Sequence, residues 1–206
     1  MAETTIGVGP HEKPWPVDPK YDPALLADGD RRNVEDRYRY WTVEAIKADL
    51  NEHRSSVHVA IENWQHDMNI GTIVRNANAF NAAAVHIIGK HHWNRRGAMV
   101  TDRYLEVFHH ATVAEFAAAM SDRTIIAVDN FAGAQPLSRT ALPKNVVLVF
   151  GSEGPGLSEE MRAVAEKMVM IEQFGSTRSV NVGVAAGIVL YEWMRQHVLT
   201  EKPGLS

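Results

Sequence analysis

The apolar positions of this chain follow two rhythms that take turns from residue 57 onward. Val57, Val59 and Ile61 recur at every second position, the period of a strand, and 70–80 repeats at helical spacing, opened by Asn69 where an N-cap belongs. The pattern continues with a strand at Ala84 to Ile88, a short helix at 113–120, and strands at Thr124 to Asp129 and Asn145 to Phe150. A helix at 158–166, a strand at 168–171 and a helix at 180–197 complete the series. Strands alternating with helices predict a mainly parallel sheet covered on both faces, a three-layer α/β sandwich.

The first 54 residues read differently. Five of the nine prolines fall within the first 23 residues, which predicts an extended arm with little packing of its own. From Arg32 to His53 the pattern turns helical, with Val34, Tyr38, Trp41, Ala45 and Leu50 near the 3.6-residue period. The expected organisation is an N-terminal arm and helical extension over 1–54, an α/β domain over 55–198 and a short tail over 199–206.

Composition narrows the function classes. A chain of 206 residues, 45% of them hydrophobic, suffices for one domain with a substantial core. The absence of cysteine excludes disulfides, thiol catalysis and cysteine-ligated zinc. No continuous apolar stretch of signal-peptide length stands at the N-terminus, and Glu192 and Arg195 break the apolar run near the C-terminus. No membrane span is read, and the expected compartment is the cytoplasm. A net charge of −4 argues against a protein that coats nucleic acid, which leaves local basic surfaces. One candidate is Arg31, Arg32, Arg37 and Arg39, interleaved with Asp28, Asp30, Glu35 and Asp36; the other is Lys90, Arg95, Arg96 and Arg103.

Three segments carry polar residues that a plain core does not require: NIGTIVRNANAF at 69–80, VFGSEGPGLS at 149–158 and RSVNVGVAAGIVLYEW at 178–193. In the second, Gly151, Gly154 and Gly156 turn an apolar strand into a helix that restarts after Ser158, leaving backbone amides open to a ligand edge. The Lys-Ser/Thr pair of a phosphate loop is missing, and GSEGPG does not fit dinucleotide spacing. Taken alone, each segment reads equally as structure: a capped turn, a capped helix with a surface arginine, and a tightly packed helix of small residues.

Together, in this order, they resemble the signature motifs of the SpoU/TrmH branch of the SPOUT superfamily, over roughly residues 55–197. The resemblance implies an RNA ribose 2′-O-methyltransferase using S-adenosyl-L-methionine, a homodimer, and a deep C-terminal trefoil knot in which about 150–197 threads back through a loop. It makes Arg75 the principal catalytic residue, near the ribose 2′-hydroxyl and an RNA phosphate. Asn69, Glu153, Ser179 and Asn181 support it, with Glu153 organising the pocket and Arg75. Backbone groups of Val128, Gly151, Ile171 and Val180 match positions that hold the adenosine, and Ser179 positions the reacting group or the cofactor carboxylate. Methyl transfer requires the 2′-hydroxyl to lose its proton, yet a guanidinium, with a pKa above about 12, is a poor base. Arg75 therefore either passes a proton with help from the phosphate or stays cationic and stabilises the developing alkoxide. Three positions depart from the pattern: Met68 and Glu172 stand where prolines are usual and Asn81 where glycine is common.

His91-His92 and His109-His110 are weighed as metal ligands and set aside, because adjacent side chains on a strand point apart and no carboxylate sits at ligand spacing. The HHWNRR stretch at 91–96 suits an RNA backbone and a stacked base, or a plain exposed loop. The short extension points to tRNA ahead of rRNA as substrate. The competing class is a noncatalytic RNA-binding protein that keeps the fold; a nucleotide-binding metabolic enzyme fails on the missing phosphate motifs.

Overall fold

The computed structural model describes residues 7–64 and 69–200; Met68 lies outside the described residues. Among the described residues seven strands form one sheet in the order β3-β2-β1-β6-β4-β7-β5, all pairs parallel. They are β1 (His58–Asn63), β2 (Ala84–Gly89), β3 (Glu106–His110), β4 (Thr124–Val128), β5 (Gln135–Pro136), β6 (Val146–Phe150) and β7 (Lys167–Met170). The strands expected from periodicity are present within one to two residues. The sequence pattern missed β3 and β5: β3 is an edge strand whose EVFHH residues are mostly exposed, and β5 has two residues.

Helices cover both faces. On one side α3 (Ile70–Ala79) and α6 (Val182–Met194) pack with Val59, Ile61, Val85, Ile87, Leu148 and Phe150. On the other, α4 (Val113–Ala119) and α5 (Glu159–Val164) bring Val113, Phe116 and Met161 onto Ala60, Ile88, Val147 and Val149. Adjacent strand residues alternate between the two cores, as the pleat demands. β6 lies at the centre with all five residues buried. The turn at its C-terminal end is therefore carried by the most enclosed strand.

α3 and α6 approach closely because small residues face the contact. A Cβ on Gly183 would stand 2.8 Å from Thr72 Cγ2, and the Asn76 amide donates to the Gly183 carbonyl at 2.7 Å. On the opposite side of α3, a Cβ on Gly71 would stand 2.7 Å from the Ala98 nitrogen, so the 95–98 turn is seated against the helix start.

The extension differs from its expectation. Its first part is not a loose arm: Val8 and Asp30 pair in a two-residue bridge, and α1 (Pro23–Asp28) starts with Pro23 behind the Asp22 cap. The helical pattern of 32–53 forms only one α-helix, α2 (Val43–Glu52), preceded by a single 3₁₀ turn at Asp36–Tyr38. Asp30 explains the break. Its carboxylate is fully buried and accepts from the Arg32 guanidinium at 2.9 and 2.7 Å and from the Arg32 and Tyr40 amides, which fixes 30–40 as a loop around it. Burial alone would raise Asp30, but the Arg32 hydrogen bonds and the two amides outweigh it and hold it at about 2.

The extension also has a core. Tyr38 and Ile46 bury against Tyr104 of the main domain, and Arg54 donates to the carbonyls of Ala82 and Tyr104. Asn81 has φ +48, a conformation asparagine tolerates, and its side chain donates to Leu50 O at 3.0 Å; its departure from glycine thus ties the extension down.

Candidate functional site

An open cleft of about 370 Å³ lies at the C-terminal ends of β4, β6 and β7, where ligands gather in open α/β sheets. Its lining includes Val128, Gly151, Glu153, Ile171, Ser179, Val180 and Asn181, all of them singled out in the sequence. Asn69 touches the cleft through its partners, whereas Arg75 is not among the lining residues.

The 149–158 turn is held from beneath. Glu62, at the end of β1, is fully buried; its carboxylate accepts from the Ser158 amide at 2.8 Å, the Ser158 hydroxyl at 2.6 Å and the Trp64 indole at 3.0 Å. The Ser152 hydroxyl donates to the Glu62 carbonyl at 2.8 Å, so one residue clamps both ends of the turn. A Cβ on Gly151 would stand 2.2 Å from the Gly156 carbonyl carbon, so only glycine fits where the loop folds back on itself. Gly156, with φ +72, lets the Asp129 carboxylate in; that carboxylate accepts from the Asn130 amide at 2.7 Å and the Leu157 amide at 3.2 Å.

A polar relay crosses the mouth of the cleft. Asn181 caps α6, its Oδ1 accepting from the Gly183 and Val184 amides, which leaves its Nδ2 to donate to Asn69 Oδ1 at 2.8 Å. The Asn69 amide is thereby oriented to donate to Glu153 Oε2 at 2.6 Å. This corrects the N-cap expected for Asn69: its backbone is already helical at φ −82, ψ −12, and its side chain makes no cap bond because Asn181 and Glu153 engage it. Glu153 is bound to Asn69, and among the described residues no ion pair joins it to Arg75.

Arg75 is exposed in the middle of α3, with no hydrogen-bond or ion-pair partner among the described residues. Gly71, one turn earlier, faces the 97–98 backbone, and Thr72 and Asn76 face α6, so Arg75 lies over the seam between them.

The rim at 172–181 is mostly exposed, with Phe174 98% exposed. Glu172 accepts from the Ser138 hydroxyl and from the Ser138 amide, the latter at 3.5 Å, anchoring the loop at the position where the resemblance expects a proline. Asn130 donates to the Arg178 carbonyl at 3.0 Å, fixing the rim against the segment that links β4 to β5.

The sequence reading missed Glu62 and Asp129. Each left a signal: a carboxylate directly after the apolar Val59–Ile61 run, and another directly after TIIAV. It also missed a histidine ladder away from the cleft. His58 Nδ1 and His86 Nε2 lie 2.8 Å apart, and His86 Nδ1 and His110 Nε2 2.9 Å, one ring from each of β1, β2 and β3. Burial, reinforced by the cation of Arg123, pushes His58 down to about 4; burial and the neighbouring rings push His86 to about 3. Among the described residues no group of three or more His, Asp or Glu side chains is placed to hold a metal ion, and no helix is long and apolar enough to cross a membrane.

The family model described as the SpoU rRNA Methylase family matches residues 56–191. A tRNA (guanosine(18)-2′-O)-methyltransferase of Aquifex aeolicus is 42% identical over 66 residues, covering 31% of this chain and 31% of the relative. The chain spans about half or less of the length of the curated relatives it matches. Among solved structures, the A. aeolicus TrmH/SpoU tRNA modifying enzyme superposes with a TM-score of 0.68 at 24% identity, over 80% of this chain and 88% of that one, a likeness of fold. An AdoMet-bound rRNA methyltransferase from Sinorhizobium meliloti superposes with a TM-score of 0.62 at 25% identity, over 69% of this chain and 57% of that one.

Proposed function

Because the chain belongs to the SpoU rRNA methylase family, we propose that it is an RNA methyltransferase that moves a methyl group from S-adenosyl-L-methionine to a ribose 2′-hydroxyl. The observation that carries this reading is the cleft, where Glu153 and Asn181, from distant segments, are both tied to Asn69 from a third, with Ser179 in the same lining. The lining suits the cofactor: among the described residues it holds the carboxylates of Asp129 and Glu153 and no lysine or arginine, and the ligand carries a sulfonium and an ammonium against one carboxylate.

When bound, the cofactor supplies an electrophilic methyl group on sulfur. Backbone groups of Val128, Gly151, Ile171 and Val180 hold the adenosine, and Ser179 orients the reacting end. Asn181, through Asn69, holds the Glu153 carboxylate in place. Arg75 stays cationic, pairs with an RNA phosphate and stabilises the 2′-oxygen as negative charge develops, while the 2′-proton leaves to phosphate or water. Its exposure, and the lack of a partner for it among the described residues, support that role.

Arg75 does not line its own chain's cleft, and next to it α6 exposes Val184, Ile188 and Tyr191 at 53%, 40% and 53%, one stripe at helical spacing. We read this stripe as the interface of a homodimer in which each cleft is completed by the partner's Arg75. Mixing Arg75→Ala with Asn181→Ala subunits then restores part of the activity, and a mixed dimer without any counts against shared sites. A trefoil knot fits the topology: β7 lies between β4 and β5, so later chain fills a gap that the 129–134 link spans. We take tRNA as the substrate ahead of rRNA, on the likeness to the Aquifex enzyme.

The deciding experiment is calorimetric titration with S-adenosyl-L-methionine, then transfer of labelled methyl to bulk tRNA and to rRNA with Arg75→Ala as control. Binding with Arg75-dependent labelling of one pool supports the enzyme and its substrate class. A folded protein that binds RNA but no cofactor overturns it in favour of a noncatalytic RNA-binding role.

A further inference from the structure

Beside Arg75, across the seam from α6, the chain makes an unusual turn. Met99 and Val100 both take the left-handed conformation, φ +49 and +66, and both residues are about half exposed, at 52% and 51%. A β-branched residue in this region is strained, and an exposed apolar pair gains nothing from burial to offset the strain. The turn is nevertheless held firmly. The Thr101 hydroxyl donates to Ala98 O at 2.6 Å, Gly97 packs backbone to backbone on Gly71 and Thr72, and Tyr104 is buried in the extension's core, with Arg54 donating to its carbonyl. Lys47 of α2 pairs with Glu106 just beyond, at 2.9 Å. The N-terminal extension and α3 thus clamp this segment from two sides and leave its tip outward.

The charge around the tip is as distinctive as the backbone. In a chain of net charge −4, the stretch 90–103 carries Lys90, Arg95, Arg96 and Arg103 against Asp102 alone. Arg95 lies over the Trp93 ring at 5.5 Å and 3.4 Å from Asp102; Arg96 and Arg103 are exposed, and no ion pair involves either among the described residues. Guanidinium groups flanking an exposed apolar tip suit RNA, whose phosphates pair with arginine and whose unstacked bases offer an apolar face.

Resting on the methyltransferase reading above, we infer that 95–103 is a docking element for substrate RNA: Arg96 and Arg103 hold phosphates while the Met99–Val100 tip packs on an unpaired nucleotide, delivering the neighbouring ribose to Arg75. The occupant is single-stranded or looped RNA, because a duplex presents stacked bases with no apolar face to the tip. The extension acts as the brace that fixes the element's position.

The test is filter binding of bulk tRNA and of rRNA, with S-adenosyl-L-methionine titration and sedimentation run on the same samples. Arg96→Gln/Arg103→Gln is expected to weaken RNA binding at least tenfold and to make the log–log salt slope shallower by roughly 1.5, at about 0.7–0.9 per lost phosphate contact, with cofactor affinity within twofold of wild type. Met99→Ser/Val100→Gly is expected to weaken RNA binding at least threefold without changing that slope, while its thermal midpoint holds or rises as strain is released. RNA affinity and slope unchanged in both variants overturn the inference, as does a change of oligomeric state in place of RNA affinity, which would make the tip a protein interface. Wild type that binds RNA but neither binds cofactor nor transfers methyl sinks the methyltransferase reading instead, and the binding comparison still decides the docking element.

Discussion

The turn beneath the cleft and the helix surface beside it are built on opposite terms. The 149–158 turn is clamped by a fully buried carboxylate, and its Gly151 and Ser152 are themselves buried, so its geometry is part of the fold. The α3 surface carries Arg75 into solvent with no partner among the described residues. A site that must hold a small cofactor in one pose needs walls that do not move, whereas a cation awaiting RNA loses its use if the protein neutralises it. Damage on the first side should therefore appear as lost stability, and on the second as lost rate.

The largest effect is expected on the open side. Arg75→Ala should lower methyl transfer by about 10³-fold, near 4 kcal/mol of transition-state stabilisation, by analogy with the loss of one preorganised charge or donor. Thermal midpoint and cofactor affinity should stay at wild-type values, because the side chain is exposed and lies outside its own chain's cleft. Arg75→Lys, which retains a cation without the planar fork, should recover a measurable part of the rate. A large fall in midpoint for Arg75→Ala would break the comparison.

Glu62→Ala is the mirror experiment. It strands the Ser158 amide and hydroxyl and the Trp64 indole, and a cost of about 3 kcal/mol is expected in denaturant unfolding. Cofactor binding should weaken as well, since the same clamp shapes the turn. Glu62→Gln, which keeps acceptor oxygen but not two of them, should fall between the two.

Acid provides a third probe, aimed at the buried side. His58 and Glu62 lie on the same face of β1, and the ladder continues through His86 to His110. The groups facing it are Phe108 and Phe116, with Arg123 and Asp122 near His58 and His109 and Glu115 near His110. His86 is held near 3 when folded and titrates near 6.5 when unfolded. As the pH falls below 6.5 the unfolded chain takes up the proton first, so stability is full above about 6.5 and declines toward 3. At pH 5 the loss from this ring is about 2 kcal/mol. His86→Phe should flatten that decline in pH-dependent unfolding; an unchanged slope would remove the ladder from the account.

How much of this could be read from the chain divides along the same line. The central strands and the four α-helices described in the α/β region declared themselves through apolar positions at strand or helical spacing, and Val146 to Phe150 is a continuous apolar run. The seven cleft residues singled out came from family resemblance, five of them in the 149–158 and 178–193 motifs, since glycine turns and capped helices look alike in isolation. The role of Glu62 was hidden, though its charge stood out, because its partners, Ser152 and Ser158, are about 90 residues away, and β3 was missed because an edge strand need not alternate. The extension misled for a similar reason: one buried ion pair, Asp30 with Arg32, overrides helical periodicity across 30–40.

Asn181 joins the two regions, and the smallest effect tests that junction. Its Oδ1 caps α6 while its Nδ2 sets the Asn69 amide that holds Glu153. Asn181→Ala removes both functions and should cost about 1 kcal/mol in stability, the ordinary worth of an N-cap, along with activity. Asn181→Asp separates them. Aspartate caps as well as asparagine, so the unfolding midpoint should stay within about 0.5 kcal/mol of wild type. Its second oxygen cannot donate, and it faces Asn69 Oδ1, so the Asn69 amide must turn its NH₂ toward position 181 and take it away from Glu153. Methyl transfer should therefore fall while the fold is unmoved, and adding Asn69→Ala to Asn181→Asp should cost little more, because the relay is already broken. Additive losses in that double variant would mean that the two asparagines act on the cleft independently and that no relay connects the helix cap to the carboxylate.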